Sequence, residues 1–453
     1  MSILGNRVLR TEDPAFLTTG GTYVDDVELP GEPAHVVYVR STMASARLLE
    51  VDTSEAAAMP GVLAVVTVDD LDIADQPPSM GLLNQQMIRP LLARDVVRFV
   101  GEPIAAVVAE TLAQATDAAE LVIVDYDPLD AVVDPTTALA PAQPLFPDAD
   151  SQAVMSIDNR SMQADFSACE VVVEQRIVNQ RVAPCPIEPR SAAAYWDDDG
   201  RLVVHSSNQG AHPIRETVAK VLGLPEDRVR VITPDVGGSF GSKSSAYPED
   251  LLLGPLARRV GRPVTWTETR SESMVNLGHG RGQVQDVAIG GTRDGRITAY
   301  RLRVVQDAGA YPMMGAVLPF MTRMMTTGVY DVTNAEFSSE SVVTNTTPVV
   351  AFRGAGRPEA AAAIERAVDL FAAEIGMDPA EVRRRNLLPD DAFPYKTPGG
   401  AVYDIGAYRD ALDLALESAG YDELRAEQQR RRAAGDPVAL GIGLAVYVEI
   451  TAL

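Results

Sequence analysis

Cysteine, tryptophan and histidine are all scarce in this sequence of 453 residues, which contains two, two and four of them, respectively. The two cysteines, Cys169 and Cys185, lack the spacing of a zinc site or an iron–sulfur cluster, and they do not make a disulfide framework. A buried, apolar role is the better prediction for both. If the protein carries out redox chemistry, its electrons therefore have to leave through another chain.

Positive charge and long apolar runs are also lacking. The 39 lysines and arginines are outnumbered by 63 aspartates and glutamates, which gives a net charge of −24. Such a surface repels nucleic-acid backbones and anionic membranes, so neither is expected as a partner. No apolar run approaches the length of a membrane span, and the first residues lack the apolar core of a signal peptide. We therefore predict a reducing, cytoplasmic location.

The residues that are abundant indicate a folded protein of mixed α/β (α+β) class. Apolar residues make up 46% of the chain and charged residues 23%, and the length calls for two or three domains. β-Branched runs at 34–40, 62–68, 103–109 and 121–126 predict strands. The unbroken apolar run at 62–68 predicts burial on both faces. A capping-box spacing from Thr111 to Gln114 predicts a helix that runs to about Glu120.

Proline and glycine divide the chain into units. A compact α/β domain is predicted for residues 1–135, and the three prolines in 136–150 indicate a linker. A second unit covers 151–400 and a third begins at 401. Residues 439–451 predict a strand, and the sequence stops there. We expect this strand to have lost partners that would pair its backbone and cover its apolar side.

A glycine-rich loop at residues 235–243 (DVGGSFGSK) is the most informative stretch. It follows a β-branched run at 229–234 and precedes a helix that begins at Pro248. Glycine lets backbone N–H groups approach an anion or a polar ring closely. Phe240, flanked by glycines, would be held at the loop tip rather than in a strand. An ordinary tight turn fits the same pattern, so the loop alone does not assign a function.

Two further loops flank this one in the sequence. In residues 206–215 (SSNQGAHPIR), Gln209 lies between a predicted strand and an amphipathic helix whose first residue is predicted to be Pro213. In residues 351–360 (AFRGAGRPEA), Arg353 presents a planar fork that suits a carbonyl, carboxylate or phosphate. Loops between strands and helices are the usual positions of ligand-binding groups.

These three segments, in this order, resemble the molybdopterin-binding large subunits of the xanthine dehydrogenase, aldehyde oxidase and aerobic carbon monoxide dehydrogenase family. Residues 22–26 (TYVDD) and 100–104 (VGEPI) resemble that family's hammerhead domain. The resemblance implies an α/β hammerhead domain over 1–135, a first molybdopterin-binding domain over 151–400, and an incomplete second one over 401–453.

The resemblance also implies an activity, namely hydroxylation of a carbon centre with water-derived oxygen. Molybdenum in a molybdopterin cofactor would carry the redox step, with the cytosine dinucleotide form as one option, and the protein would supply position and hydrogen bonds. Iron–sulfur and FAD groups are expected only on partner subunits, and no residue of this chain is expected to ligate the metal.

The same resemblance assigns roles to residues of the three loops. Gln209 would hydrogen-bond an oxo ligand of the metal, Phe240 would close over the metal, and Arg353 would orient the substrate. The expected cofactor-binding residues are Gln209, Gly210, Gly237, Gly238, Phe240, Gly241, Arg353, Gly354 and Ala355. Structural alternatives stay open: Gln209 as a loop cap and Arg353 in an ion pair.

A proline-rich turn at 183–190 (APCPIEPR) resembles the family's turn beside the cofactor pocket. Within it, Glu188 and Arg190 are expected to pair with each other and hold the turn rather than to contact a ligand.

Three departures from the family pattern narrow the expectation. The glutamate that serves as general base in a G-E-x-G motif is absent, so it is expected on a missing carboxy-terminal half or a second chain. Carbon monoxide oxidisers have a copper-binding cysteine after the loop arginine, where this chain has Gly354, which predicts no copper. Xanthine-type enzymes have a glutamate where this chain has Ser244. An aldehyde or heterocycle hydroxylase is therefore preferred.

Two functions remain open at this point. One is the large subunit of a molybdenum hydroxylase, inactive as this chain alone. The other is a non-catalytic cofactor-binding or assembly half that needs a second chain. Metal analysis of the protein with and without the missing half would discriminate between them.

Overall fold

A computed structural model describes residues 5–78 and 80–450 of the chain. The chain forms two compact units. The first comprises Met1–Pro77, Ile88–Ala131 and Ala183–Gly278, and the second comprises Pro78–Met87, Val132–Val182 and His279–Leu453. The mixed α/β class predicted from the sequence is confirmed. The predicted domains, with boundaries at 135, 150 and 400, are continuous stretches of sequence, whereas these two units are each made of separate segments. The predicted boundaries therefore stay a prediction.

Seventeen strands are present in the described residues. In chain order they are β1 (Ala34–Arg40), β2 (Ala46–Asp52), β3 (Val62–Val66), β4 (Val96–Val97), β5 (Pro103–Ala109), β6 (Ile123–Pro128), β7 (Ala153–Ile157), β8 (Val171–Asn179), β9 (Ser191–Trp196), β10 (Leu202–Ser206), β11 (Val229–Ile232), β12 (Val264–Thr267), β13 (Gln283–Gly291), β14 (Ile297–Asp307), β15 (Ala335–Val342), β16 (Tyr395–Lys396) and β17 (Val402–Tyr403).

Eleven α-helices accompany these strands within the described residues. They are α1 (Asp13–Phe16), α2 (Ser54–Ala58), α3 (Leu112–Glu120), α4 (Ala211–Val221), α5 (Pro248–Val260), α6 (Arg270–Asn276), α7 (Leu318–Met324), α8 (Arg357–Ile375), α9 (Pro379–Asn386), α10 (Tyr408–Ala419) and α11 (Tyr421–Ala434).

A seven-stranded sheet forms the centre of the first unit, with the order β11-β10-β9-β12-β1-β5-β3. The parallel pair β1–β12, with Ala34 opposite Val264, joins strands from the first 135 residues to strands from 183–278. β5 has a strand on each side and is buried along its whole length. Burial of β3 on both faces was predicted and is wrong: it lies at the sheet edge, and Leu63 is 38% exposed.

A five-stranded sheet with the order β7-β15-β14-β13-β8 forms the centre of the second unit. Along β14, Tyr300, Leu302 and Val304 are buried, as the alternation of the sequence predicts. Helix α8 adds its apolar stripe to the same core. It ends at Ile375, because Gly376 adopts the left-handed conformation (φ +69°) that closes helices.

Two helices of the first unit begin where the sequence did not predict a start. Residues 270–276 form α6, because the Thr269 side chain accepts from the backbone N–H of Glu272 and Glu272 accepts from that of Thr269 at 2.8 Å. Helix α4 begins at Ala211, not at Pro213. Proline is tolerated there because the first-turn N–H groups need no partner within the helix.

The strand predicted at 439–451 is not a strand in the described part of this segment, which ends at residue 450. Alternate side chains, including Ile442, Leu444 and Val446, pack against the core of the second unit. Helix side chains replace a neighbouring strand: the guanidinium of Arg383 donates to the carbonyl of Leu444 at 2.9 Å. The predicted strand therefore does not form, although the apolar side of the segment is partly buried.

Both cysteines carry free thiols, and neither is fully buried. Cys169 is half-buried and lies 3.3 Å from Thr298 Oγ1, whereas Cys185 is exposed. The buried role predicted for them is therefore wrong, most clearly for Cys185, which the surrounding prolines hold at the surface. Among the described residues, no helix combines the length and apolarity needed to cross a membrane.

Candidate functional site

The glycine-rich loop belongs to the first unit and folds tightly onto the proline-rich turn. A side chain on Gly237 would bring its Cβ within 2.5 Å of Glu188 Cβ. Gly238 has φ +103°, a conformation that other residues rarely adopt. The loop therefore needs glycine at 237 for close approach and at 238 for its backbone angle.

Phe240 is held in a strained conformation at the tip of this loop. Its φ is +58°, which is uncommon for any residue with a side chain and costly for a bulky one. The ring is partly buried and lies against Gly238, not in the hydrophobic core of either unit. The structure thus keeps an aromatic ring at the loop at a conformational cost, which is typical of functional loops.

A buried ion pair between Glu188 and Lys243 ties the loop to the turn. Glu188 Oε2 accepts from the N–H of Gly237 at 2.7 Å, from Ser207 Oγ at 2.7 Å and from Lys243 Nζ at 3.0 Å. Burial lowers the pKa of Lys243, and the hydrogen bond to Glu188 opposes that effect. Residues at both ends of the loop are therefore fixed by one carboxylate.

The pair predicted between Glu188 and Arg190 does not form. The guanidinium of Arg190 is buried and pairs instead with Glu249 (3.2 Å) and Glu268. Glu188 and Arg190 are only two positions apart in the sequence, but this closeness does not show that their side chains have different partners.

Gln209 contacts the glycine-rich loop directly. Its Oε1 accepts from the backbone N–H of Gly241 at 2.7 Å and from the hydroxyl of Ser239. Because a backbone N–H can only donate, the side-chain oxygen must face the loop, and the Nε2 group is left as the donor. The loop-cap alternative and the ligand-donor role are therefore compatible, since they use opposite ends of one exposed amide.

Gly210 is next to this contact and is the N-cap residue of α4. Its N–H donates to Asn208 Oδ1 at 2.8 Å, and Asn208 is buried. The residues predicted at 209, 210, 237, 238, 240 and 241 are thus brought together by the first unit.

A network of buried charges links α5, the helix that follows the glycine-rich loop, to β1 and to the residue before β9. Glu249, in the first turn of α5, pairs with Arg40 of β1 at 2.7 Å and with Arg190 at 3.2 Å. Burial by itself raises the pKa of Glu249, but Arg190 and Arg40 outweigh it and lower the pKa to about 2. Sequence reasoning missed this network. The available signal was the pair of acidic residues at the start of α5, a helix that is otherwise largely apolar.

The predicted residues Arg353, Gly354 and Ala355 belong to the second unit. Gly354 and Ala355 adopt φ values of +97° and +42°, and the side chain of Arg353 is exposed. Arg281 donates to the carbonyls of Phe352 (3.1 Å) and Arg353 (2.9 Å). Sequence reasoning missed this role of Arg281, although an arginine among glycines at 278–282 was visible.

A cavity of about 420 Å³ lies beside this loop within the second unit. Arg353 and Gly354 line it together with Pro358, Ala361 and residues 445–449. Its size and mainly apolar lining suit a small organic molecule, and the guanidinium supplies a polar group that can orient one.

The donor groups of the first unit suit an oxygen-rich, anionic cofactor. The amide nitrogen of Gln209 is a hydrogen-bond donor that the contact with Gly241 leaves over, and glycine-rich loops are a common setting for anion binding. Across residues 5–78 and 80–450 there is no cluster of three His, Cys, Asp or Glu side chains that could hold a metal ion.

Two known protein families together match most of the chain. Residues 145–387 match the molybdopterin cofactor-binding domain, and residues 18–130 match the a/b hammerhead domain of aldehyde oxidase and xanthine dehydrogenase. The chain is 36% identical to the nicotine 6-hydroxylase large subunit of Paenarthrobacter nicotinovorans, over 99% of this chain and 56% of that protein.

Solved structures give the same result. The reconstituted CO dehydrogenase from Oligotropha carboxidovorans superposes with a TM-score of 0.87 at 34% identity, over 95% of this chain and 56% of that one. The chain thus spans little more than half the length of these relatives.

The nicotinate dehydrogenase large molybdopterin subunit of Eubacterium barkeri differs in length from these relatives. It is 28% identical, and the match covers 93% of this chain and 99% of that subunit. From the matched domains and these relatives, the chain belongs to the xanthine dehydrogenase, aldehyde oxidase and carbon monoxide dehydrogenase family of molybdopterin-binding large subunits.

Proposed function

We propose that the chain is the cofactor-binding, amino-terminal part of a molybdenum hydroxylase large subunit. It would oxidise an aldehyde or a heterocyclic carbon with water-derived oxygen and pass the electrons to iron–sulfur and FAD subunits. The observation that carries the proposal is the fixed amide of Gln209, whose oxygen is held by Gly241 and whose nitrogen is left as a donor. Molybdopterin would supply the redox chemistry when bound.

The residues of this chain would bind and orient. Gly237, Gly238 and Gly241 allow close approach of the loop to the cofactor, and Gln209 donates a hydrogen bond to one of its acceptor atoms. Gly210, Gly354 and Ala355 complete the proposed binding residues. Arg353 would orient a carbonyl oxygen or ring nitrogen of the substrate.

The preference for an organic substrate rests on two features. Gly354 follows Arg353, in the place where copper-dependent members carry cysteine, so we propose a site without copper. The resemblance to a nicotine hydroxylase, which acts on a nitrogen heterocycle by its name, favours a ring substrate. The cytosine dinucleotide form of the cofactor and a cytoplasmic location also belong to this proposal.

A second candidate is a non-catalytic cofactor-binding or assembly half that needs another chain. It is favoured by the absence of the family's catalytic glutamate motif from this sequence. A large molybdopterin subunit of matching length supports a division of the catalytic domain between two chains. In both candidates the catalytic base comes from outside these 453 residues.

Co-expression followed by metal and pterin analysis tests the proposal. The chain would be produced alone, with a carboxy-terminal half of the family, and with iron–sulfur and FAD subunits as well. We expect equal amounts of molybdenum and pterin in the full assembly, and dye reduction with aldehydes or nitrogen heterocycles. Pterin without turnover in every assembly would support the second candidate, and neither molybdenum nor pterin in any assembly would contradict both.

A further inference from the structure

The loop that carries Arg353 has an unfavourable backbone. Gly354, Ala355 and Gly356 are consecutive residues with φ values of +97°, +42° and +92°. Two of them are glycines, but Ala355 has a side chain that this conformation disfavours. Such a loop persists only when surrounding contacts hold it in place.

Arg281 makes those contacts at the start of the loop. One guanidinium nitrogen donates to the carbonyl of Phe352 at 3.1 Å and the other to the carbonyl of Arg353 at 2.9 Å. The same group lies 5.0 Å from the centre of the Phe352 ring. A planar group with two parallel donors suits two successive carbonyls, which a lysine cannot match.

Glu359 holds both Arg281 and the other end of the loop. Its side chain is fully buried and pairs with the Arg281 guanidinium at 3.4 Å. Its Oε2 also accepts from the N–H of Gly356 at 2.8 Å. The Arg281–Glu359 pair therefore spans the loop from Phe352 to Gly356.

The backbone around Arg281 is itself fixed to the same loop. The N–H of His279 donates to the carbonyl of Pro348, and that of Val350 donates to the carbonyl of His279 at 2.7 Å. At Gly280, a side chain would bring its Cβ within 2.2 Å of Phe352 Cβ. Arg281, which lies just before β13, thus ties the loop of residues 352–356 to this end of the sheet.

We propose that Arg281, oriented by Glu359, is a positioning residue that fixes the backbone of residues 352–356 and so determines where the guanidinium of Arg353 is directed. The inference rests on the proposed function of Arg353 as the group that orients substrate. Arg281 itself touches neither substrate nor cofactor in this scheme.

An Arg281→Lys variant tests the inference, because it keeps a positive charge beside Glu359 but cannot bond both carbonyls with one planar group. Arg301→Lys is the matched control: Arg301 also pairs with a glutamate, Glu174, and lies over a phenylalanine ring, but it is bonded to no carbonyl of the loop. The first readout is amide hydrogen exchange in the 453-residue chain, which needs no cofactor. We expect exchange at Ala355 and Gly356 to become about tenfold faster in Arg281→Lys and to stay unchanged in the control.

The second readout is steady-state kinetics of the assembled enzyme. We expect kcat/KM to fall about tenfold in Arg281→Lys with an unchanged molybdenum content. Faster exchange with unchanged kcat/KM would overturn the link to Arg353, and unchanged exchange would overturn the positioning role. If Arg281→Lys does not fold, Glu359→Gln keeps an acceptor for Gly356 while weakening the pair, and the same two outcomes apply. Failure of the proposed function would show separately, as wild-type protein without molybdenum and pterin.

Discussion

At the scale of single residues, Gln209 has two chemically different ends with separable tasks. Its oxygen accepts from Gly241 and Ser239, and its nitrogen remains a donor. Nearby, Glu188 accepts hydrogen bonds from Gly237, Ser207 and Lys243. These bonds fix the glycine-rich loop that Gln209 contacts. The amide oxygen of Gln209 therefore contacts a loop whose own position is fixed, which orients the amide nitrogen as well.

Replacing Gln209 by glutamate should separate the two tasks. A carboxylate can still accept from Gly241 and Ser239, but it has no donor at neutral pH. We expect normal folding and a decrease in kcat of about 100-fold in the assembled enzyme, the cost typical of removing one donor from a catalytic site. Gln175→Glu, at an exposed position of β8, is the control with the same change of charge. An activity within twofold of the wild type would contradict the donor role.

At the scale of elements, the buried charges around Glu249 join β1, α5 and the residues before β9. Arg40 and Arg190 contact this carboxylate, which is fully buried. Charges removed from water require partners, and the loss of one partner leaves another uncompensated. The helix that follows the glycine-rich loop is therefore anchored by electrostatics as well as by its apolar face.

Stability should depend on pH through Glu249. Its pKa is lowered from 4.5 to about 2 in the folded protein. A carboxyl with a depressed folded-state pKa stabilises the protein above its unfolded pKa, and this contribution is lost as the pH falls from about 4.5 towards 2. We expect Glu249→Gln to lower the free energy of unfolding by roughly 3 kcal/mol at pH 7 and by much less near pH 3.

Urea unfolding at several pH values would measure the effect on stability. Glu55→Gln, at an exposed position of α2, is the control. Equal destabilisation by Glu249→Gln at pH 7 and pH 3 would contradict the assigned cause.

Local signals predicted elements well where the signal and the structure are both local. The capping residues Thr111 and Gln114 start α3 as predicted, because caps act within a few residues. Pairings between distant residues were not accessible in the same way. Glu188 and Lys243 are 55 positions apart, and Arg281 and Glu359 are 78 apart, so no pattern in one segment records either contact.

Two wrong predictions at this scale have the same physical origin. The apolar runs at β3 and at 439–450 show which side chains are apolar, whereas burial and strand pairing depend on the neighbouring elements. β3 lies at a sheet edge, and Arg383 bonds the backbone at Leu444 in place of a strand. The loops at 209 and 240 could be predicted because glycine spacing and strand–loop–helix order are properties of the sequence itself.

At the scale of the whole molecule, the length of the chain relative to its family is the informative quantity. It carries the hammerhead domain and a molybdopterin-binding domain, yet spans 56% of the nicotine hydroxylase subunit that it resembles. The net charge of −24 would repel the phosphate backbone of a nucleic acid. We propose that a second polypeptide supplies the catalytic base.

The most direct measurement is the position of molybdenum in the assembled protein, found by anomalous X-ray diffraction at the molybdenum absorption edge. We expect an anomalous peak beside the loop of residues 235–243, with a cofactor atom within hydrogen-bonding distance of Gln209 Nε2 and the ring of Phe240 over the metal. A peak remote from Gln209 and Phe240 would contradict it, as would an assembled, folded protein without any molybdenum peak.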